Sequence, residues 1–469
     1  MLFTSLSFLL FFPTVCILYY CMPHKVRWIF LLLASYYFYI NWQPVYALIL
    51  LVTTGVTYVC GRVLGERQLS SVGRKAVLAV GCIIPLGFLF VFKYYDFLTR
   101  TIFDVLDNVG VRWPLPEMRL LLPIGISFYT FMAVGYVVDV YRGTVTAEKS
   151  LGLYALFVSF FPQVTSGPIG RAGELIPQLK SPQYLKYDNV ICGLKQMLWG
   201  YFMKLCVSDR LAIYVDAVYG NIAHHNGTSI LLASLLYTFQ IYADFAGYSL
   251  IAIGAARIMG IRLAENFRRP YFSKNIKEFW GRWHITLSHW FRDYVYIPLG
   301  GNRVSLGRHL SNLMITFLLS GLWHGAEWNF ILWGGVHGVF LIVNALWRKC
   351  KPLVKVWHAP DIVNIFVTFV CVSFAWIFFR IPELSTAWTA IKSIFTSFGM
   401  PFVNMSVFIM GGFSLLLLVI KDLRDEYGWG RKLLTPSGFM MNNISVVALT
   451  AYILLFGVLD GGQFIYFQF

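Results

Sequence analysis

Phe-Trp-Gly-Arg-Trp-His-Ile-Thr-Leu-Ser-His-Trp-Phe-Arg-Asp-Tyr at 279–294, Tyr-Ile-Pro-Leu-Gly-Gly-Asn-Arg at 296–303 and Gly-Leu-Trp-His-Gly-Ala-Glu-Trp at 321–328 set polar chemistry between long apolar runs. One such run, 229–255, precedes the block and another, 328–347, follows it. An ionisable side chain inside a hydrophobic span costs free energy unless something pairs with it, so such residues are functional candidates by default. His324 is one of them.

Working outward, the whole chain follows the same pattern. Its 469 residues are 58% hydrophobic and 13% charged, with mean hydropathy +0.65, whereas soluble domains carry about 25% charged residues. The class is an all-α polytopic membrane protein. Continuous apolar runs argue against a β-barrel, whose strands alternate over about ten residues. Candidate membrane segments are 3–22, 28–40, 44–60, 76–98, 120–141, 151–166, 190–207, 229–255, 310–322, 328–347, 361–379, 405–420 and 443–459. Segments 28–40 and 310–322 are short for a span, which needs roughly 20 residues, and read as half-helices or re-entrant pieces. Asp104–Arg119 reads as a polar outer loop. The Pro/Gly-rich 160–182 predicts a break and a turn, and 264–301 reads as an interfacial stretch.

Lys25 and Arg27 follow the first apolar run rather than precede it, so the run is expected to stay as a helix with the N-terminus outside. Arg62–Lys75, Arg348–Lys355 and Lys421–Lys432 are expected in the cytoplasm. The last helix then delivers the tail, 460–469, to the outer face. The expected location is a bacterial inner (cytoplasmic) membrane, multi-pass, with both termini extracytoplasmic.

Net charge is +16. Between Arg257 and Arg308 ten basic residues stand against Glu265, Glu278 and Asp293, giving ten minus three, or +7 of that total. The basic residues lie in short loops, so topology and attraction to anionic lipid headgroups explain them better than nucleic acid does. A phosphate-bearing donor arriving from the cytoplasm is the functional alternative. The eight cysteines form no Cys-x-x-Cys and read as small hydrophobes. No His-Glu-x-x-His occurs, and His284, His324 and His337 match no zinc spacing, so no metal site is expected.

His324 is flanked by Gly321, Gly325 and Ala326, which allow helices to approach closely around the imidazole. Its ordinary pKa near 6.5 suits proton transfer from and to a hydroxyl, although a packing role fits the residue alone equally well. If 284–289 is helical, His284 and His289 point to different faces and do not share a target. His337 and His309 read as structural or surface residues. The end, Phe464-Ile465-Tyr466-Phe467-Gln468-Phe469, is either an aromatic anchor or a carrier of a nucleophilic phenol at Tyr466, activated by a base such as His324.

Taken together, Phe279-Trp280 through Arg303, Trp323-His324-Gly325, Pro162-Gln163 with Gly167-Pro168-Ile169, and the Phe-Ile-Tyr-Phe-Gln-Phe end resemble the membrane-bound O-acyltransferase family, in its bacterial alginate O-acetylation branch. The resemblance runs over essentially the whole length. It implies one integral domain over 1–469, with a core at about 260–345 and a ring of about 11–13 transmembrane or re-entrant helices around a thinned centre reached by funnels from both faces. It implies a catalytic His324, an assisting His284, and an acyl-carrying Tyr466. Substrate contacts are expected from Trp323, Arg282, Trp283, Asn302, Arg303, Gln163 and Pro168. The implied activity is O-acyl, chiefly O-acetyl, transfer from a cytoplasmic thioester toward an extracytoplasmic polysaccharide or cell-wall glycopolymer. Acetyl-CoA or an acyl carrier protein would be the donor, with no permanently bound cofactor. An extracytoplasmic SGNH or esterase-like acyltransferase is the expected partner, beside membrane lipids. A transporter or flippase for an acyl or glycan carrier is the alternative class.

Overall fold

The structure, a computed structural model, describes residues 1–41, 44–66, 68–111, 118, 120–350, 360–428, 439–459, 464 and 465. Among these residues there are twenty α-helices and no strand. In chain order they are α1 (Leu6–Cys21), α2 (His24–Ile40), α3 (Ala47–Glu66), α4 (Ser71–Leu89), α5 (Tyr95–Asn108), α6 (Ile126–Arg142), α7 (Leu151–Ser159), α8 (Phe161–Val164), α9 (Ala172–Lys180) and α10 (Tyr187–Tyr201). Then come α11 (Asp209–Tyr219), α12 (Gly227–Ile258), α13 (Ile276–Arg282), α14 (Ile285–Phe291), α15 (Leu306–His324), α16 (Trp328–Cys350), α17 (Asp361–Arg380), α18 (Leu384–Thr396), α19 (Gly412–Tyr427) and α20 (Phe439–Phe456). Wide π-helical turns occupy Phe90–Tyr94, Phe202–Ser208, Arg292–Tyr296 and Val407–Gly411.

Among the described residues, six helical stretches are long and apolar enough to cross a membrane: Pro44–Glu66, Ser71–Asn108, Tyr187–Tyr219, Gly227–Ile258, Trp328–Lys349 and Asp361–Arg380. The chain is therefore a polytopic, all-helical membrane protein. Two expectations from sequence change. The 310–322 segment belongs to a 19-residue helix, α15, which at 1.5 Å per residue is about 28 Å long. Residues 104–108 of the expected polar loop continue α5. That helix is amphipathic, with Asp104 and Asp107 on its exposed side, so its polar residues mark a face rather than a loop. The amphipathic α18 is an addition, falling between two expected segments.

The chain forms two compact units. The first comprises Met1–Gly193 with Ala255–Ala264. In it, Ser5, Ser70 and Ser150 cap α1, α4 and α7 by accepting a backbone N–H in the first turn. Its interior joins α3, α6 and α7 through polar atoms satisfied inside the protein, as a membrane interior requires. The Tyr154 hydroxyl donates to Thr57 Oγ1 at 2.7 Å, and the Tyr136 hydroxyl accepts the Glu148 N–H at 3.0 Å. α7 stops at Ser159, and after the single turn of α8 the chain turns at 165–170, inside the stretch where the Pro/Gly density predicted a break.

The second unit comprises Leu194–Gly254 with Glu265–Phe469 and contains both central histidines. Its α15 and α16 form a hairpin whose backbones nearly touch. A Cβ on Gly321 would lie 2.2 Å from the Phe330 carbonyl oxygen, and one on Gly334 would lie 2.2 Å from that of Phe317. The sequence Gly-Leu-Trp-His-Gly thus provides the close approach that small residues allow between membrane helices. His324 is the last residue of α15, at the closed end of this hairpin.

Gly334→Val places a branched side chain against backbone that cannot give way. It is expected to destabilise the protein by about 2 kcal/mol or more, read as a lowered melting temperature in detergent.

Candidate active site

His284 is held in an unusual backbone conformation. It is the N-cap of α14 with φ 39° and ψ 55°, in the left-handed region where a residue bearing a Cβ stores about 1–3 kcal/mol of strain. The surrounding chain determines that turn. Ile285 N–H donates to the Asn266 carbonyl at 2.9 Å, and Arg268 N–H donates to the Arg282 carbonyl at 2.9 Å. The Asn266 side chain completes the frame: Oδ1 accepts the Thr286 hydroxyl at 2.6 Å, and Nδ2 donates to Ser249 Oγ on α12 at 3.3 Å. Arg269, at the other end of the loop, is among the described residues the second other than glycine with positive φ, 44°.

The histidines lie in an aromatic enclosure. His284 and His324 flank Trp323, with ring centroids 5.9 and 4.9 Å from the indole. His324 also meets Trp333 at 4.9 Å and Phe379 at 5.3 Å, and His284 meets Phe245 at 4.5 Å. Both imidazoles are buried. Trp333 continues the cluster to His337 at 4.9 Å, whose Nδ1 accepts a hydrogen bond from Trp280 Nε1 at 3.3 Å. His337 is thus fully buried, on the structural side of what its sequence suggested. The indole N–H of Trp333 is buried and makes no hydrogen bond among the described residues, leaving a donor beside His324. His289 is exposed and turned away, as the spacing implied.

On α12, Asp244, the residue before Phe245, belongs to a cluster of buried charges. Lys204 Nζ bridges Asp209 Oδ1 at 2.7 Å and Asp244 Oδ1 at 2.8 Å, and the three side chains are 3%, 5% and 0% exposed. Two structural devices bring them together. On an α-helix, residues five apart lie about 140° apart around the axis. The π turn at Phe202–Ser208 has the wider i→i+5 pattern and sets Lys204 and Asp209 on one side. Gly200 and Gly247 then let α10 and α12 cross closely, since a Cβ on either would lie 2.6 or 2.8 Å from the other's carbonyl oxygen.

The same patch receives the C-terminal segment. Asp244 Oδ2 accepts the Ile465 N–H at 2.8 Å. The Phe464 ring stacks on Tyr248 at 4.5 Å and meets Phe245 at 5.6 Å, so one phenylalanine, Phe245, touches both His284 and Phe464. Tyr466 itself lies outside the described residues.

The expected substrate-contact residues separate into groups. Trp323 and Trp283 belong to the enclosure, Trp283 packing on Trp376 at 5.0 Å and on Phe279 at 5.5 Å. Arg282 forms ion pairs, with Glu278 at 2.6 Å and Glu426 at 2.8 Å, and Arg269 reaches the other oxygen of Glu426 at 2.7 Å. Asn302 and Arg303 are exposed on the turn after α14, whose Leu299 and Gly301 carbonyls are held by Asn312 Nδ2. Gln163 and Pro168 are buried in the first unit, where Gln163 Nε2 donates to the Phe157 carbonyl at 2.6 Å. Asn266, Lys204, Asp209 and Asp244 are positioning residues that sequence reading did not single out. No group of three or more His, Cys, Asp or Glu able to hold a metal occurs among the described residues.

The family model for the membrane-bound O-acyltransferases matches residues 147–381. Among its relatives, the chain is 38% identical over 408 residues to the probable alginate O-acetylase AlgI of Pseudomonas aeruginosa, covering 85% of this chain and 75% of that protein. It is 34% identical to the peptidoglycan O-acetyltransferase of Helicobacter pylori, covering 81% and 75%. It is 33% identical to the teichoic acid D-alanyltransferase of Streptococcus thermophilus over a shorter stretch, covering 50% and 60%.

Asn266→Ala strips the frame from the His284 turn and leaves the Thr286 and Ser249 groups to find other partners. A loss of about 1–3 kcal/mol is expected, together with reduced activity, read by melting and by donor turnover. Burial pushes the Glu426 carboxyl up, but the hydrogen bonds and charges of Arg269 and Arg282 outweigh it and hold it below its usual 4.5. That contribution to stability is complete above the unfolded value and is lost as pH falls through the lower folded one. Melting curves of Glu426→Gln should therefore show a shallower acid limb below about pH 4.5 than wild type.

Proposed function

Because the chain belongs to the membrane-bound O-acyltransferase family and is itself an O-acyltransferase of the membrane, we propose that it carries an acetyl group across the cytoplasmic membrane through Tyr466. The reading rests chiefly on one observation: His284, Trp323 and His324 are buried side by side in the unit that also binds Ile465, the residue before Tyr466.

The donor in this reading is a cytoplasmic thioester, acetyl-CoA or an acyl carrier protein, drawn to the basic stretch 257–308. His324 takes the phenolic proton of Tyr466 as the oxygen attacks the thioester carbonyl carbon. The carbon–sulfur bond breaks, the thiolate leaves, and the imidazolium returns the proton to it. Trp333 Nε1, buried beside His324 and making no hydrogen bond among the described residues, suits the negative oxygen that develops on the way. His284 shapes the same enclosure, fixed by its constrained turn.

The acetyl ester on Tyr466 is then attacked by an acceptor hydroxyl, which releases the phenol. The likeness to a probable alginate O-acetylase and to a peptidoglycan O-acetyltransferase supports an extracytoplasmic polysaccharide or cell-wall glycopolymer as the acceptor class. An SGNH or esterase-like partner outside the membrane would complete the delivery. Both termini lie on the outer side in this arrangement, as the basic loops imply.

Intact-mass and peptide mass spectrometry after incubation with acetyl-CoA tests the relay. Wild type should gain one acetyl group on the C-terminal peptide, and His324→Ala and Tyr466→Phe should gain none. An unchanged rate of acetyl transfer in Tyr466→Phe would remove the carrier role and leave direct transfer at His324.

A further inference from the structure

Three tethers bind the end of α20 and the chain that follows it, and all lead to the same short stretch or its partner. Arg210 donates to the Phe456 carbonyl at 2.6 Å, and the Val458 N–H donates to the Leu205 carbonyl at 3.0 Å. Asp244, the partner of Lys204, accepts the Ile465 N–H at 2.8 Å. Leu205 lies within the π turn and Arg210 in the first turn of α11. The π turn and the ion cluster thus form the seat of the C-terminal segment.

The charges need an explanation beyond stability. Two carboxylates and one ammonium are taken out of water together, and such clusters often stabilise no better than apolar packing in the same volume. Lys204 and Asp209 already form a pair of opposite charges. Asp244 adds a second carboxylate, and its remaining oxygen is used on a backbone amide of the tail, a charge-assisted bond with a defined direction. The ring of Phe464 and the body of Ile465 are buried as well, but apolar contact alone sets no register for an aromatic segment.

The geometry points to Asp244, oriented by Lys204, as a positioning residue that fixes the register of the C-terminal segment beside the histidine enclosure. The anchoring stands independently; its consequence for acyl transfer rests on the acyl-tyrosine reading above. Fixing Ile465 restricts where the next residue, Tyr466, can reach, and Phe245 couples that anchor to His284. Releasing the anchor should lower the rate of acyl transfer to the tail without changing the affinity for the thioester.

The test uses the full chain in detergent or nanodiscs and two measurements. The first is hydrogen–deuterium exchange of the peptide that follows α20. Asp244→Ala removes the acceptor and should speed exchange there at least tenfold. Asp244→Asn keeps an accepting oxygen and should restore most of the protection. Ile465→Pro removes the donated N–H, together with the isoleucine side chain, and leaves the three charges of the ion cluster in place, so it serves where Asp244→Ala folds poorly. Ile465→Val, which keeps the N–H, is its control. The second measurement is acetyl labelling from acetyl-CoA, expected to fall about tenfold in kcat with KM unchanged in the two releasing variants.

Wild-type exchange in Ile465→Pro, or in folded Asp244→Ala, overturns the anchor. Faster exchange with kcat unchanged overturns its role in transfer. If the variants release the tail but wild type itself acquires no label at Tyr466, the anchor stands and the acyl-tyrosine reading is the one that fails.

Discussion

The left-handed turn at His284 is the constraint on which the active unit depends. A residue with a Cβ adopts that conformation only where its surroundings over-determine it, and here Asn266 does so with its backbone carbonyl and both ends of its side chain. One side-chain amide ties the loop after α12 to α12 itself and to the start of α14. The result aims the His284 ring at Trp323 and Phe245 instead of letting 276–291 continue as one helix. A straight helix would carry the imidazole along a face; a broken one delivers it as a cap.

Around that turn two kinds of packing divide the work. Aromatic rings supply bulk and a dry enclosure for His324, with edge-to-face contacts of the sort that aromatic groups prefer. Fixed polar bonds supply register: Asn266 for the His284 loop, Asn312 for the turn at 299–301, and Asp244 for the C-terminal segment. Inside a membrane these bonds cannot be exchanged for water, so each one selects a single arrangement from several of similar apolar burial.

Much of this was legible in the sequence, and the illegible part has a common cause. His324 showed itself as an ionisable residue among small residues in an apolar run, and the Pro/Gly breaks at 160–182 showed themselves by composition. Both are local signals. Asp244 and Lys204 are forty residues apart, and their link depends on a glycine crossing and a π turn that carry no pattern of their own. Asn266 was hidden among arginines, where charge drew the eye. Arg282, expected at a substrate, pairs with Glu426, more than a hundred residues on. Windows of hydropathy also missed α18 and the end of α5, because amphipathic helices average to neutral.

The π turn at Phe202–Ser208 bears on how such proteins can vary in length. A turn of this kind is an α-helix with one residue inserted. With it, Lys204 and Asp209 pair at a spacing of five; without it, a lysine and an aspartate at a spacing of four would again share a face. Loss of one residue here, with the π turn relaxed to an α turn, would preserve the ion pair and leave α11 presenting the same face. When homologous chains are aligned, a single-residue gap at this joint therefore marks a turn that has changed type, with α11 and its contact kept.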